Sequence, residues 1–285
     1  MIYSMTGFGK SVVTLPGKKI TIEIKSLNSK GVDLNVRIPS SLREKELSMR
    51  NHVAKTLKRG KIDLSVYVES TGGERSAQLN TPVIEAYMAQ LKSIADGENV
   101  DLLQMALRLP ESIQTERETI DETTASAIMS GLEEAVGTLQ DFRLTEGQAL
   151  AQDFEQRIQT IGQLMETVKT KDQERIPSVR ARLLKALEDL AQTVDQNRFE
   201  QELVYYLEKY DITEEIVRLS NHLKYFITTM NSDESNGKKL GFITQEMGRE
   251  INTIGSKAND AALQQLVVQM KDELEKIKEQ VLNVL

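Results

Sequence analysis

The chain contains no cysteine and no tryptophan. Without cysteine there is no disulfide, no thiolate metal site and no cysteine nucleophile. Its two histidines, His52 and His222, are too few for a three-histidine metal centre within one chain. Aromatic residues make up only 5%. No apolar run approaches the roughly 18 residues that cross a bilayer. The first ten residues lack the basic start and long apolar core of a signal peptide. The expected location is the cytoplasm, with no membrane partner. What is present is 285 residues, 39% hydrophobic and 28% charged, the profile of a soluble globular protein. At ~150 residues per domain, two domains are expected.

Charge is unevenly spread. Residues 1–75 hold 14 Lys and Arg against 7 Asp and Glu, whereas the whole chain has a net charge of −7. A basic N-terminal part on an acidic chain suggests a polyanion partner, because cations gain free energy by displacing counterions from phosphates. Alternatively, the excess balances the acidic part, within the chain or across subunits.

Three runs alternate apolar and polar residues: Ile20 to Leu27, Val32 to Ile38 and Ile62 to Val68. Each is predicted as a half-buried strand. Between the last two, Leu42, Leu47, Val53 and Leu57 are spaced as one helix face, with Ser40 or Ser41 as its cap. Helices are also predicted over 79–97 and 122–140, with a short helix and loop between Gly97 and Asp121. From Arg143 an apolar stripe runs through Leu150, Phe154, Ile158, Ile161, Met165 and Val168. A second stripe, Val179, Leu183, Leu187 and Leu190, comes after Pro177. That pattern predicts a long antiparallel helical hairpin turning near Pro177, with the proline at a helix start. Leu266, Met270, Leu274, Ile277 and Val281 mark a final helix.

The chemistry-bearing residues gather between Asp211 and Lys257. A helix is expected over Ile212–Met230, a loop over Asn231–Gly237 and a second helix over Lys239–Ile254. Asp211, Glu215, Arg218 and His222 share a flank of the first; Glu246, Glu250, Thr253 and Lys257 share a flank of the second. Antiparallel packing could bring both flanks together, with Arg249 nearby. Glu246 and Glu250 are spaced i,i+4, which sets their carboxylates about 6 Å apart. Their repulsion is roughly 0.7 kcal/mol in water and nearer 3 kcal/mol at an effective dielectric of about 20. A partly buried pair therefore calls for a cation. Mg²⁺ or Mn²⁺ offers one suited to oxygen ligands, and His222 could add a nitrogen to Mn²⁺. Such an ion activates water and holds a phosphodiester. The plainer alternative is a solvated face on which Arg249 or Lys257 pairs with the glutamates. His52, in a basic segment, fits a surface or polyanion contact.

Both ends of the chain resemble the YicC/YloC endoribonuclease family. At the start the resemblance lies in Met1-Ile-Tyr-Ser-Met-Thr-Gly-Phe-Gly-Lys10, Glu23–Asn28, Asp33-Leu34, Arg37-Ile-Pro39 and Arg59-Gly60-Lys61. It is denser at the end, in Asp211–His222, Gly237-Lys-Lys-Leu240 and Gln245–Asp260. Arg143, Glu146 and Gly147 fit a weaker mid-chain pattern. The resemblance implies a cytoplasmic bacterial protein that cleaves single-stranded RNA with a divalent metal and assembles as a homo-oligomer, a hexameric ring or clamp. One departure stands out: Asn28-Ser29-Lys30 occupies the place of the family's Asn-His-Arg. A histidine role there is absent, and the weight moves to the C-terminal cluster.

The expected fold is α+β: a β-rich N-terminal domain with helices over 1–155, then an elongated helical domain over 156–285 whose family-like region covers about 202–285. The expected function is metal-dependent endoribonuclease, in small-RNA or messenger turnover. Glu215, Glu246 and Glu250 are the expected metal ligands, and His222 a further ligand or general base. Arg218, Lys257 and Arg249 would neutralise phosphate charge. Lys30, Arg37, Arg59 and Lys61, with Arg249, would guide the RNA. No small-molecule cofactor is expected. The competing reading is a non-catalytic RNA-binding adaptor that assembles as a ring; a third is a helical scaffold with no RNA role.

Overall fold

A computed structural model describes residues 2–71, 77–95, 97–115, 121–189, 196–232 and 236–285. The predicted strands form in a four-stranded sheet of order β1-β2-β4-β3. They are β1 (Gly7–Leu15), β2 (Lys18–Leu27), β3 (Val32–Arg37) and β4 (Gly60–Ser70). Strands β1, β2 and β4 pair antiparallel, and β3 lies parallel to β4 through a helical crossover. The alternation in β2 buries Ile20, Ile22 and Ile24, and that in β4 buries Ile62, Leu64 and Val66.

The crossover differs from the sequence expectation. Ser40–Lys45 is a 3₁₀ turn, and the α-helix proper, α1 (Glu46–Leu57), begins after it. Three residues per turn in that first segment shifts the phase of the α-helix behind it. Met49, Val53 and Leu57 therefore face the core, while Leu47 is exposed. Neither Ser40 nor Ser41 caps the turn; Pro39 holds the N-cap position with no side-chain bond.

After the sheet come β5 (Ala77–Leu79), α2 (Thr81–Ile94), α3 (Asn99–Ala106) and β6 (Ile113–Thr115), with β5 and β6 paired antiparallel. The helix predicted over 122–140 and the stripe from Arg143 are one element. That element is α4 (Glu122–Asp189), 68 residues long, which at 1.5 Å per residue is about 100 Å.

Pro177 lies inside α4 and starts no helix. A proline there forfeits one backbone hydrogen bond and crowds the preceding turn. The cost is tolerated beyond the stretch that buries Phe154 to Val168, where Pro177 itself is exposed. The predicted turn at Pro177 is thus corrected. The return arm is α5 (Gln196–Tyr210), held against α4 by an Arg180–Glu200 ion pair at 2.7 Å and by Arg175, which donates to the Tyr210 carbonyl at 2.8 Å. Leu190, from the second stripe, lies outside the described residues.

The chain ends in α6 (Thr213–Met230), α7 (Gly237–Lys257) and α8 (Ala261–Val281). Of the loop predicted between α6 and α7, residues 233–235 lie outside the described residues. Asp260 caps α8 by accepting from the Leu263 amide at 3.0 Å. Two cores result, and α4 contributes to both. Its first third, through Ile128, Leu132 and Leu139, covers the sheet together with α1. Its middle, through Phe154, Ile161 and Val168, packs with α6, α7 and α8.

Candidate active site and RNA surface

The N-terminal family-like residues are largely structural. Ile2 joins the helical core, and Thr6 Oγ1 donates to Glu146 at 2.7 Å. Gly9 and Gly147 are required by close approach. A Cβ at Gly9 would collide with the Ala135 carbonyl of α4, and one at Gly147 with the Ile2 carbonyl. The N-terminal segment also pairs with the chain end. The Met5 amide donates to the Asn283 carbonyl at 2.8 Å, and the Leu285 amide to the Tyr3 carbonyl at 2.9 Å.

Arg143 fastens this junction. It is 3% exposed. Its Nη2 donates to the carbonyls of Met5 at 3.1 Å and Arg59 at 3.2 Å, and to Ser26 Oγ. Burial lowers its pKa from the usual arginine range. The buried Arg143 Nε has no hydrogen-bond partner among the described residues.

Of the four basic residues expected to guide RNA, two lie on strands and two in the segments that connect them. Helices α1 and α4 cover one side of the sheet. Arg37 on β3 and Lys61 on β4 are exposed on the open face, beside exposed Phe8 and Tyr67. Lys30 comes after β2, and Arg59 Nε donates to the Ser29 carbonyl at 2.7 Å. Ser29 thus offers its backbone oxygen to Arg59. Lys25 adds a cation over the Phe8 ring at 5.5 Å from the centroid.

In the helical part, α6 and α7 pack against each other, and one pair of the predicted cluster is in contact. Lys257 near the end of α7 donates to Glu215 near the start of α6 at 2.8 Å. Glu215 is 5% exposed, and its second oxygen, Oε2, is buried with no partner among the described residues. His222 on α6 and Glu250 on α7 each lie seven residues, about 10 Å, from that contact along their own helices. Glu215 and Glu250 are therefore about 10 Å apart along the helix axes.

Glu250 is 4% exposed. It has no hydrogen-bond or ion-pair partner among the described residues, yet its oxygens are not among the enclosed unpaired atoms. Its stem is packed and its carboxylate edge reaches solvent. Glu246, one turn earlier, is exposed, as is Arg249. Arg218 is exposed and turned back to Glu214 on its own helix. His222 is half-buried. Among the described residues, no group of three or more His, Asp or Glu is close enough to share one metal ion. The residues do fit a smaller demand: Mg²⁺ is commonly held by one or two carboxylates, with waters and substrate phosphates completing its shell.

Beyond Lys257, α4 supplies residues that carry no motif in the sequence. Arg175 Nη1 donates to the Lys257 carbonyl at 3.3 Å, and its Nη2 lies 2.7 Å from Asp172. Burial raises the Asp172 pKa, Arg175 opposes that shift, and Asp211 adds to it. Asp211 itself is lowered, chiefly by hydrogen bonds from Thr213. In sequence, Asp172 and Arg175 look like solvated helix residues; their role comes from α5 and the 257–260 segment folding over them.

Residues 2–152 match the family "Endoribonuclease YicC-like, N-terminal region", and residues 168–285 match "Endoribonuclease YicC-like, C-terminal". Two curated relatives are named "Probable endoribonuclease YicC". The one from Clostridioides difficile (strain 630) is 33% identical over 293 residues, and the one from Haemophilus influenzae is 30% identical over 294. Both alignments cover the whole of each chain. The chain belongs to the YicC-like endoribonuclease family.

Proposed function

We propose that this chain is a metal-dependent endoribonuclease that cleaves single-stranded RNA in the cytoplasm, acting in small-RNA or messenger turnover. The observation that carries the reading is Glu250, an acid on the packed face of α7 that no cation of the described protein partners. Glu250 and Glu246 would hold Mg²⁺ or Mn²⁺, with an RNA phosphate among the remaining ligands. That ion supplies charge neutralisation and an activated water. His222, half-buried on α6, takes the proton from the attacking oxygen. Lys257, Arg249 and Arg218 add positive charge around the phosphate. Lys30, Arg37 and Lys61 draw the RNA backbone across the open sheet face, and Arg59 shapes that end of the face through Ser29.

The adaptor reading is favoured by a different observation, the absence of a three-ligand group among the described residues. One experiment separates them. Purified protein should cleave a labelled single-stranded RNA, and chelator should stop it. Replacing Lys30, Arg37 and Lys61 together by Ala should weaken RNA binding and flatten its salt dependence, because each phosphate contact releases counterions. Binding without cleavage at any metal concentration leaves the adaptor. Unchanged affinity and salt slope in the triple variant would remove RNA from the sheet face.

The proposal includes a homo-oligomer, a hexamer. It is supported by the exposed apolar side chains of the α2–α3 region, among them Leu79, Ile94, Val100 and Met105. Surfaces of this kind mark association sites. Light scattering at micromolar concentration should give a multiple of the chain mass; a monomer mass would sink this part.

A further inference from the structure

The open face of the sheet holds more than its cations. The strand register sets Glu23, Ser65 and Arg37 in one row across it, with Lys25 and Asp63 in the row on one side and Tyr67 in the row on the other. A shallow cavity of about 240 Å³ opens among these six residues. Helices α1 and α4 pack on the opposite side of the sheet and leave it uncovered.

The charges of the cavity are unequally engaged. Glu23 holds Lys10 at 2.9 Å, and Asp63 accepts from the Asn35 amide at 2.8 Å. Both acids are therefore already occupied. Arg37 is exposed and has no hydrogen-bond or ion-pair partner among the described residues. Lys25 has only the Phe8 ring beneath it. Occupied acids beside unoccupied cations favour an anion in this place, and Ser65 adds a hydroxyl that bonds to nothing among the described residues.

An anion alone leaves the tyrosine without a part. Tyr67 is 52% exposed, and among the described residues no cation and no other ring stands over it, whereas Phe8 is capped by Lys25. Residues on one face of a strand recur about every 7 Å, and neighbouring strands lie about 4.8 Å apart. Arg37 is thus about 8 Å from Tyr67 between Cα atoms, within reach of the phosphate and the base of a single nucleotide. An acidic peptide would satisfy the cations and leave the ring in water. A nucleotide satisfies both, since every base has a π-face to lay on the ring.

Resting on the endoribonuclease reading, we propose that Tyr67 is the residue that selects single-stranded RNA, stacking one unpaired base while Arg37 holds the adjoining phosphate. Stacking is tolerant of sequence, so the subsite accepts any base. A duplex keeps its bases stacked on one another and cannot lay one on the ring.

The test is fluorescence anisotropy with the full chain in chelator, using a labelled all-uridine strand, the same strand with abasic riboses in place of the nucleosides, and an RNA duplex of equal length. Tyr67→Ala should weaken binding of the uridine strand by roughly tenfold, the loss of one base stack. The slope of that binding against salt should not change, because a stack releases no counterions. Tyr67→Phe should restore the affinity. The parent should bind the abasic strand about tenfold more weakly than the uridine strand, and Tyr67→Ala should weaken neither the abasic strand nor the duplex further. Tyr205→Ala, exposed on α5, should change nothing. A Tyr67→Ala variant with the parent's affinity for uridine, or one that weakens the uridine and abasic strands alike, overturns the subsite and leaves the endoribonuclease reading standing. A lower mass of Tyr67→Ala in light scattering would also overturn it, assigning the ring to a contact between copies. A parent that binds none of the three overturns the RNA reading and the subsite with it.

Discussion

Glu250→Gln is expected to lower RNA cleavage by orders of magnitude while leaving RNA binding intact or slightly stronger. The change keeps the shape of a side chain packed on the inner face of α7 and removes one negative charge. A metal held by two carboxylates and a phosphate loses a principal ligand, so the Mg²⁺ or Mn²⁺ needed for half-maximal cleavage should rise. High metal should restore part of the rate. Stability should move by at most about 1 kcal/mol, because Glu250 has no ion-pair partner to lose among the described residues. Glu215→Gln makes the informative contrast. It breaks the Lys257 pair, so its main effect should be on stability, with the metal requirement unchanged. Full cleavage by the Glu250 variant at limiting metal would remove the α7 glutamates from the chemistry.

Arg143→Ala should destabilise the N-terminal sheet by roughly 2–4 kcal/mol, since several buried acceptors lose their donor at once and a cavity opens. The acceptors come from three places: Met5 before β1, Ser26 on β2 and Arg59 ahead of β4. Arg143→Lys should recover little, because an ammonium is a single point where the guanidinium is a fork. Urea denaturation monitored by circular dichroism should show a lower midpoint. Hydrogen exchange should show early opening of β1 and β4, with α7 and α8 holding longer. A midpoint equal to the parent's would make Arg143 dispensable and assign the junction to the backbone pairs with residues 283–285 alone.

Strands β2, β3 and β4 are readable in the sequence because their apolar side chains alternate inward over one covered face. Strand β1 is not, and its residues explain why. Gly9 and Ser11 point at α4, while Phe8 and Val12 point at solvent, so the usual pattern is inverted. Small residues are needed where α4 runs this close. The turn expected at Pro177 is misplaced because a local rule about proline competes with tertiary packing, and packing earlier in the helix carries it onward. The candidate site is legible in angle but not in height. A helical wheel puts Glu215 and Glu250 on facing flanks, yet only the Lys257 contact shows that they stand two turns apart. Asp172 and Tyr206 carry no local signal at all, since their lining of one cavity depends on α5 returning along α4.

The unbroken α4 gives the molecule a rigid lever. One end is seated on the sheet, its middle is the backbone of the helical core, and its far end carries Arg175 and Arg182. From the sheet to Arg182 is about 75 Å along the helix, so a rotation of roughly five degrees at the sheet sweeps that end through about 6.5 Å, close to one nucleotide step of extended RNA. Whatever the open sheet face grips is therefore tied to the far end of α4, by that helix and by the pairing of residues 3–5 with 283–285.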